Sequence, residues 1–330
     1  MPETETPGRT NTVVRMQDRP PELPLADLAI ITVAHHSGRV LPELAMDLAG
    51  QRGLRLLWIV VDNSPVSSPV DQQGLREALA IAPSLTLQLL IGEEGDGFGA
   101  GCNRALDWLD MEPFRGWVWL LNPDTALPNG EEGLALARIL PTLDPRSLVG
   151  TAVDNGEGGL EASGGWFTPG LRFRSRRLTP QQTPPRGPLH LNWLSGCSLA
   201  LHPTAHQPHA RFDPAFPLYY EDMDLCLRLG GQGAPVLWLP EPRITHRRGQ
   251  GSGSTSPRRW RLSTVSYLRF LRRHCPPWVL WLRSLRLLGV NIVRLPLQPS
   301  RSCAVLAGAL EAWGTPGRSR PERWPPERWP

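Results

Sequence analysis

The run LAIITVA at 28–34, followed by LLWIVV (56–61), LTLQLLI (85–91) and WVWLL (117–121), decides the fold. These runs read as apolar rather than alternating, the pattern of strands covered on both faces. Segments of helical length separate them. The resulting β-α-β-α order predicts an α/β domain with a doubly wound, mostly parallel sheet.

Beyond Gly150 the rhythm breaks. Gly-rich DNGEGGLEASGGW (154–166) leads into RFRSRRLTPQQTPPRGP (172–188), which carries no apolar face and reads as a mobile loop region. HLNWLSGCSLALH (190–202) predicts a strand pair, EDMDLCLRLGG (221–231) a helix closed by Gly230 or Gly231, and VLWL (236–239) a further strand. An Arg-rich amphipathic helical region is expected over 257–300. The polar leader 1–25 reads as flexible, and 301–330, with PERWP twice in tandem, as a largely disordered tail.

Composition narrows the class. With 330 residues, 40% hydrophobic and 20% charged, the chain can bury a sizeable core, which excludes wholesale disorder. All 35 basic residues are Arg, and they are unevenly placed: the segment before Arg243 has net charge −10 and the remainder +14. Such a tail seeks a polyanion. No nucleic-acid-binding module accompanies it, so an anionic membrane surface, not nucleic acid, is the expected partner. Five scattered cysteines without a CxxC pair argue against a disulfide scaffold or zinc module and fit a reducing cytoplasm. The N-terminus lacks an apolar signal region, and no stretch offers the ~20 apolar residues of a membrane span.

In open parallel sheets ligands lie beyond the carboxyl ends of the strands. There the sequence places Asp62 in VDNS, Glu93-Glu94 after the third run, and Asn122 and Asp124 in LNPD. One such Asp is ordinarily a helix cap or turn former; two after two parallel strands make a ligand site an even alternative. GDGFGAGCNRALDWL (95–109) puts Gly97, Gly99 and Gly101 at the mouth of a helix. Their amides can face a diphosphate, or the glycines can simply permit close packing. FDPAFPLYYEDMDLCLRL (212–229) crowds Glu221, Asp222 and Asp224 into one helix start. Helix-dipole pairing accounts for one or two of these, and mutual repulsion raises one member toward general-base range. His246 reads as a surface residue unless the fold brings it to Asp124, where both could hold a divalent cation.

In this order and spacing, the motifs resemble the family 2 glycosyltransferases of the GT-A fold, particularly the bacterial rhamnosyltransferase branch, over about Leu28 to His274. The resemblance implies a catalytic domain over 26–256, with a nucleotide-binding half to about 150, an acceptor-side half from 151, and a C-terminal helical extension. It places Asp62 at the nucleotide base and Gly97, Phe98 and Asn103 under the nucleotide. Asn122 and Asp124 fall on a DxD-type element, with Asp124 and His246 as ligands of Mg²⁺ or Mn²⁺. YYEDMDLCLR supplies the base, Asp222 with Glu221 as the alternative, and SGC (195–197) lies beside the acceptor. The implied activity is inverting transfer of a sugar, rhamnose for this branch, from a nucleotide-diphospho-sugar to a glycan or lipid-linked acceptor in cell-surface polysaccharide synthesis. Asn122 stands where an Asp is usual, and Ala34-His35-His36 replaces the family's first-loop triplet. These departures keep two other readings open: a non-catalytic membrane-associated partner and a sugar nucleotidyltransferase.

The last expectation concerns 278–295. Arg283, Arg286 and Arg294 fall within an arc of about 80° at 100° per residue, with Trp278, Leu282, Leu285, Leu288, Ile292 and Leu295 mainly elsewhere. That pattern predicts a helix lying in a membrane interface, holding the protein at the cytoplasmic face; a buried capping helix is the alternative.

Overall fold

A computed structural model of the chain describes residues 26–314, apart from positions 39, 66, 81, 94, 158 and 162 and the segments 169–175, 179–186 and 248–255. The expectations for 1–25 and 315–330 lie outside the described residues. In chain order the strands are β1 (Leu28–Ala34), β2 (Leu56–Asp62), β3 (Leu85–Ile91), β4 (Val118–Leu121), β5 (Thr125–Ala126), β6 (Leu148–Asp154), β7 (Gly164–Trp166), β8 (Arg176–Arg177), β9 (Leu189–His190), β10 (Trp193–Leu194), β11 (Ser198–Leu201) and β12 (Val236–His246). The helices are α1 (Leu41–Ala49), α2 (Gln72–Leu79), α3 (Phe98–Met111), α4 (Glu132–Ile139), α5 (Glu221–Gly231), α6 (Pro257–His274), α7 (Pro277–Arg294) and α8 (Pro299–Gly314).

The main sheet runs β3-β2-β1-β4-β11-β6-β12-β5, with β9 also against β12. β1 to β4 pair in parallel, as the apolar runs predict, and β1 and β2 are buried at every position. Side chains fill both faces: Cys102, Leu106, Leu225 and Phe270 on one, Leu41, Leu44, Leu75 and Leu136 on the other. β11 enters antiparallel between β4 and β6. A polar thread fixes it there. Trp119 Nε1 donates to Ser198 Oγ at 2.9 Å, and that hydroxyl lies 2.6 Å from Thr151 Oγ1, all three groups buried. Buried polar groups must be paired, so this thread disfavours a shifted register.

Four sequence expectations change. The strand pair of 190–202 is three short strands that do not pair with one another: β9 joins β12, β10 joins β7, and β11 joins β4 and β6. Parts of the supposed loop region, β7 and β8, form a small antiparallel sheet with β10. Gly230 and Gly231 are still helical; Gly233, at φ +89°, takes the left-handed position beyond Gln232, and its amide returns to the Gly230 carbonyl. Residues 301–314 are helical rather than disordered, with Ser302, Ala304, Val305, Ala309 and Ala312 buried.

The amphipathic helix is present as α7, but its faces are opposite to the arrangement expected for an arginine stripe among headgroups. Arg283, Arg286 and Arg294 line a cavity with α5, α6 and α8, Arg283 half-buried and Arg286 and Arg294 exposed to solvent as well. The outward face is apolar: Leu285 is 63% exposed, Val293 77%, and Trp278, Trp281, Leu282 and Ile292 about half. Among the described residues no helix is long and apolar enough to cross a membrane.

Candidate active site

The helix bearing the three carboxylates begins under strain. Tyr219 and Tyr220 sit at φ +63° and +67°, a region that L-residues with bulky side chains avoid. The bend separates the three acids by environment. Asp224 is fully buried and meets Arg228 Nε at 2.7 Å, Arg273 Nη1 at 3.1 Å and His274 Nε2 at 2.8 Å. Burial alone would raise its pKa; the hydrogen bond from His274 and the two guanidinium groups outweigh that, and its carboxyl lies below the ordinary range. Asp224 therefore clamps α5 to α6 and is not available for chemistry.

Glu221 and Asp222 point differently. Glu221 is buried against the start of α3, and its Oε2 has no hydrogen-bond partner among the described residues. Burial first, and the Asp222 charge second, push it up. Asp222 is only partly buried, faces the cavity, and accepts from the Gly196 amide at 3.0 Å and the Met223 amide at 2.8 Å. Burial raises Asp222 too, but two amide donors favour its ionised form. The two amide donors distinguish Asp222, which faces the cavity, from Glu221, which is buried.

The SGC turn (195–197) joins this carboxylate to the LNPD segment. While the Gly196 amide holds Asp222, the Cys197 carbonyl accepts from the Asn122 amide at 3.1 Å. Asp124 follows at once, and His246, at the end of β12, approaches it with Nε2 3.1 Å from Oδ1. The other imidazole nitrogen lies 3.0 Å from Glu161 Oε2, and the Arg247 amide donates to the Asp124 carbonyl at 2.8 Å. Arg247 in turn pairs with Glu43 and Asp47 on α1, which ties the Asp124 segment to that helix. The pairing of β5 with β12, which sets His246 opposite Thr125, is what brings these distant residues together. A carboxylate and an imidazole facing each other are a donor pair that suits a divalent cation. Among the described residues no set of three or more such side chains forms a closed cage.

The residues expected to meet the nucleotide are largely occupied with one another and with neighbouring backbone. Asp62 is buried and accepts from the Ser64 amide at 2.9 Å and the Val70 amide at 2.8 Å. His35 Nδ1 lies 3.0 Å from the Asn63 carbonyl, and the His36 amide donates to Ser64 Oγ at 3.1 Å, so the altered first loop is pinned to VDNS. Asn103 differs from its expected place under the nucleotide: its amide is spent on both backbone groups of Phe212, each at 2.8 Å. Gly97 and Gly101 leave no room for a Cβ, which would fall 2.0 Å from the Pro217 carbonyl and 2.6 Å from Val33. Close packing, one of the two readings of this glycine run, therefore governs both positions. Phe98 packs edge-on to Phe212 at 5.8 Å and beneath Gly196. The start of α3 thus clasps the segment leading into α5.

Several members of the site carry no sequence signal. Glu161 lies in a Gly-rich stretch without periodicity, and Asn63, whose side-chain amide reaches the Asp96 and Gly97 carbonyls, looks like an ordinary turn residue.

Beside Asp222 opens a cavity of about 960 Å³, lined among others by Trp193, Tyr220 and Tyr267 and by arginines of α7. None of Asp62, Gly97 and Asp124 lines it. Asp62, Gly97 and Asp124, at the carboxyl ends of the parallel strands, thus lie outside this cavity, and Asp222 lines it.

The fold is shared with glycosyltransferases of known structure. The structure resembles GalNAc-T7 solved with UDP, GalNAc and Mn²⁺ at TM-score 0.53 and 16% identity, covering 76% of this chain and 48% of that one. It resembles the mannosyltransferase PcManGT from Pyrobaculum calidifontis, in complex with GDP-Man and Mn²⁺, at TM-score 0.53 and 14% identity, covering 88% and 87%. No family model matches the chain. In sequence it is 30% identical over 253 residues, 68% of this chain and 78% of the relative, to N-acetylglucosaminyl-diphospho-decaprenol L-rhamnosyltransferase of Mycobacterium tuberculosis, in two strains. The chain belongs to the family 2 glycosyltransferases of the GT-A fold, in the branch that resembles the rhamnosyltransferases.

Proposed function

We propose that this chain transfers rhamnose from a nucleotide-diphospho-sugar to a lipid-linked acceptor, with inversion at the anomeric carbon. The observation that carries the reading is the SGC turn, which holds Asp222 with one amide and the LNPD segment with the next carbonyl. One base on one side and one charge-neutralising pair on the other are what a single displacement needs. Asp222 takes the proton of the acceptor hydroxyl as its oxygen bonds to C1, while the bond from C1 to the donor diphosphate breaks on the opposite face. Asp124 and His246 would hold Mg²⁺ or Mn²⁺, which when bound neutralises the leaving diphosphate. On this reading residues 26–150 serve the donor and 151–256 the acceptor. Asp62 presents its remaining lone pairs toward the base and Asn122 its amide toward the diphosphate, whereas Gly97, Phe98 and Asn103 hold the frame.

The acceptor class rests on the relative, whose name specifies a diphospho-decaprenol acceptor, and on the exposed apolar face of α7. That face, not the arginine stripe, would dip among lipids at the cytoplasmic side of the membrane, with the remaining tail arginines drawn to anionic headgroups. The test is a panel of nucleotide-sugars assayed on a prenyl-diphospho-N-acetylglucosamine, with Mg²⁺ or Mn²⁺ and with EDTA. Transfer from the nucleotide-rhamnose that stops on chelation is expected. Pyrophosphate release from a nucleoside triphosphate would make the chain a nucleotidyltransferase, and no turnover with any donor would leave a non-catalytic partner.

A further inference from the structure

The cavity beside Asp222 has a charge pattern that proton abstraction from a sugar hydroxyl does not require. Among the described residues five arginines line it, Arg177, Arg283, Arg286, Arg294 and Arg301, against the single carboxylate of Asp222. Arg286, Arg294 and Arg301 make no ion pair among the described residues; Arg301 lies over the Trp260 ring at 4.1 Å. Arg286 and Arg294 are exposed, so water and salt screen much of their mutual repulsion, but unpaired guanidinium groups gathered on one wall still favour an anion between them. Guanidinium forks match phosphate oxygens in pairs, so the fitting anion is a phosphate ester.

Placement says which one. Arg283, Arg286 and Arg294 form a ladder along α7 spanning about 16 Å at 1.5 Å per residue. Its lower end meets the catalytic side, where Arg283 bonds Tyr267. The rungs line the cavity, and roughly opposite them on the same helix lie the exposed Leu285 and Ile292, with exposed Val293 on the flank next to Arg286. An amphiphile with a charged diphosphate between a sugar and a hydrocarbon chain has the same order of parts: sugar at Asp222, diphosphate on the ladder, hydrocarbon along the outer face of α7. The donor's diphosphate is placed elsewhere, since Asp124 does not line this cavity.

We propose that Arg286 and Arg294, with Arg283 and Arg301, form a subsite for the diphosphate of a prenyl-diphosphate-linked acceptor. This rests on the lipid-linked reading above and names the side chains that would select it.

The test uses the full chain in divalent-free buffer, titrated calorimetrically with farnesyl diphosphate, farnesol, inorganic pyrophosphate and thymidine diphosphate. Farnesyl diphosphate should bind well above farnesol, and the Arg286→Gln/Arg294→Gln double variant should weaken it about 10- to 100-fold, the size of losing charge-assisted hydrogen bonds. Arg286→Lys, keeping charge without the fork, should fall between. A thermal melt matching wild type separates lost binding from lost fold; if the double variant melts early, the two single Gln variants carry the comparison. Unchanged farnesyl diphosphate affinity in folded variants overturns the proposal. Equal binding of pyrophosphate or thymidine diphosphate, lost in the same variants, also overturns it, because the site then takes free or nucleotide diphosphate. Binding is read without turnover, so the two readings fail separately. A chain that transfers to the lipid acceptor but whose arginine variants bind normally loses only this subsite. One that binds the prenyl diphosphate through these arginines but transfers nothing loses only the activity.

Discussion

The sheet half and the helical cap of this molecule bury their residues under different rules. In β1 and β2 every position is covered, so an apolar run has only one meaning and its neighbours in sequence become its neighbours in space. In α7 one face is apolar and one is charged, and both have a use: the charged face closes the cavity and the apolar face meets the surroundings. An amphipathic helix states that it separates two media without stating which medium is the protein. The same ambiguity operates at smaller scale in EDMD, where adjacent acids serve a cavity, a buried contact and a clamp.

The sharpest way to break this contrast is at α5. Asp222→Asn should lower transfer by about 10²- to 10⁴-fold, the usual contribution of a general base, while nucleotide affinity measured by titration persists. A larger loss in Glu221→Gln than in Asp222→Asn would reassign the base.

Asp224→Ala should act on stability instead. It leaves Arg228 and Arg273 without their shared carboxylate, and removing one partner of a buried ion pair costs about 3–5 kcal/mol, read as a lowered urea midpoint. A stable Asp224→Ala protein with lost turnover would erase the distinction between the two acids.

For the cap, Leu285→Glu and Val293→Glu should each weaken partition onto anionic vesicles by about 10- to 100-fold, from roughly 1.5–3 kcal/mol per buried aliphatic side chain. Flotation with liposomes measures it. If both variants float like wild type, the outer face of α7 is not the lipid-facing one.

The smallest effect concerns pH. Glu221 is raised by burial, so the native state keeps a proton that the unfolded chain has already released. Stability is full below the ordinary glutamate range and declines as pH rises through the raised value. Glu221→Gln removes that decline, and its melting temperature should gain on wild type steadily between about pH 5 and pH 9. A constant offset across that range would mean Glu221 titrates normally.

The parallel strands and the candidate base were legible because each has a local signature: uniform apolarity for the strands, carboxylates after tyrosines for the base. The positions of β11 and of Glu161 were not, since a four-residue SLAL could join any sheet edge and an acid among glycines has no period. Asn103 shows the limit most clearly. Its spacing after Phe98 was readable, but its partner, the Phe212 backbone, is 109 residues away and offers only main-chain atoms, which leave no trace in sequence.

The insertion of β11 between β4 and β6 sets an order of events for a chain emerging from the ribosome. When residues 26–154 have appeared, β4 has one paired edge and one open one, and β6 has no neighbour in the sheet. The strand that joins them lies at 198–201, after the small sheet. Until it arrives, buried-type strands present unpaired backbone to the solvent, the condition under which strands pair with other molecules. Nascent chains stalled before Leu201 should therefore be the form most dependent on chaperones, and this vulnerability belongs to the topology rather than to any side chain of the active site.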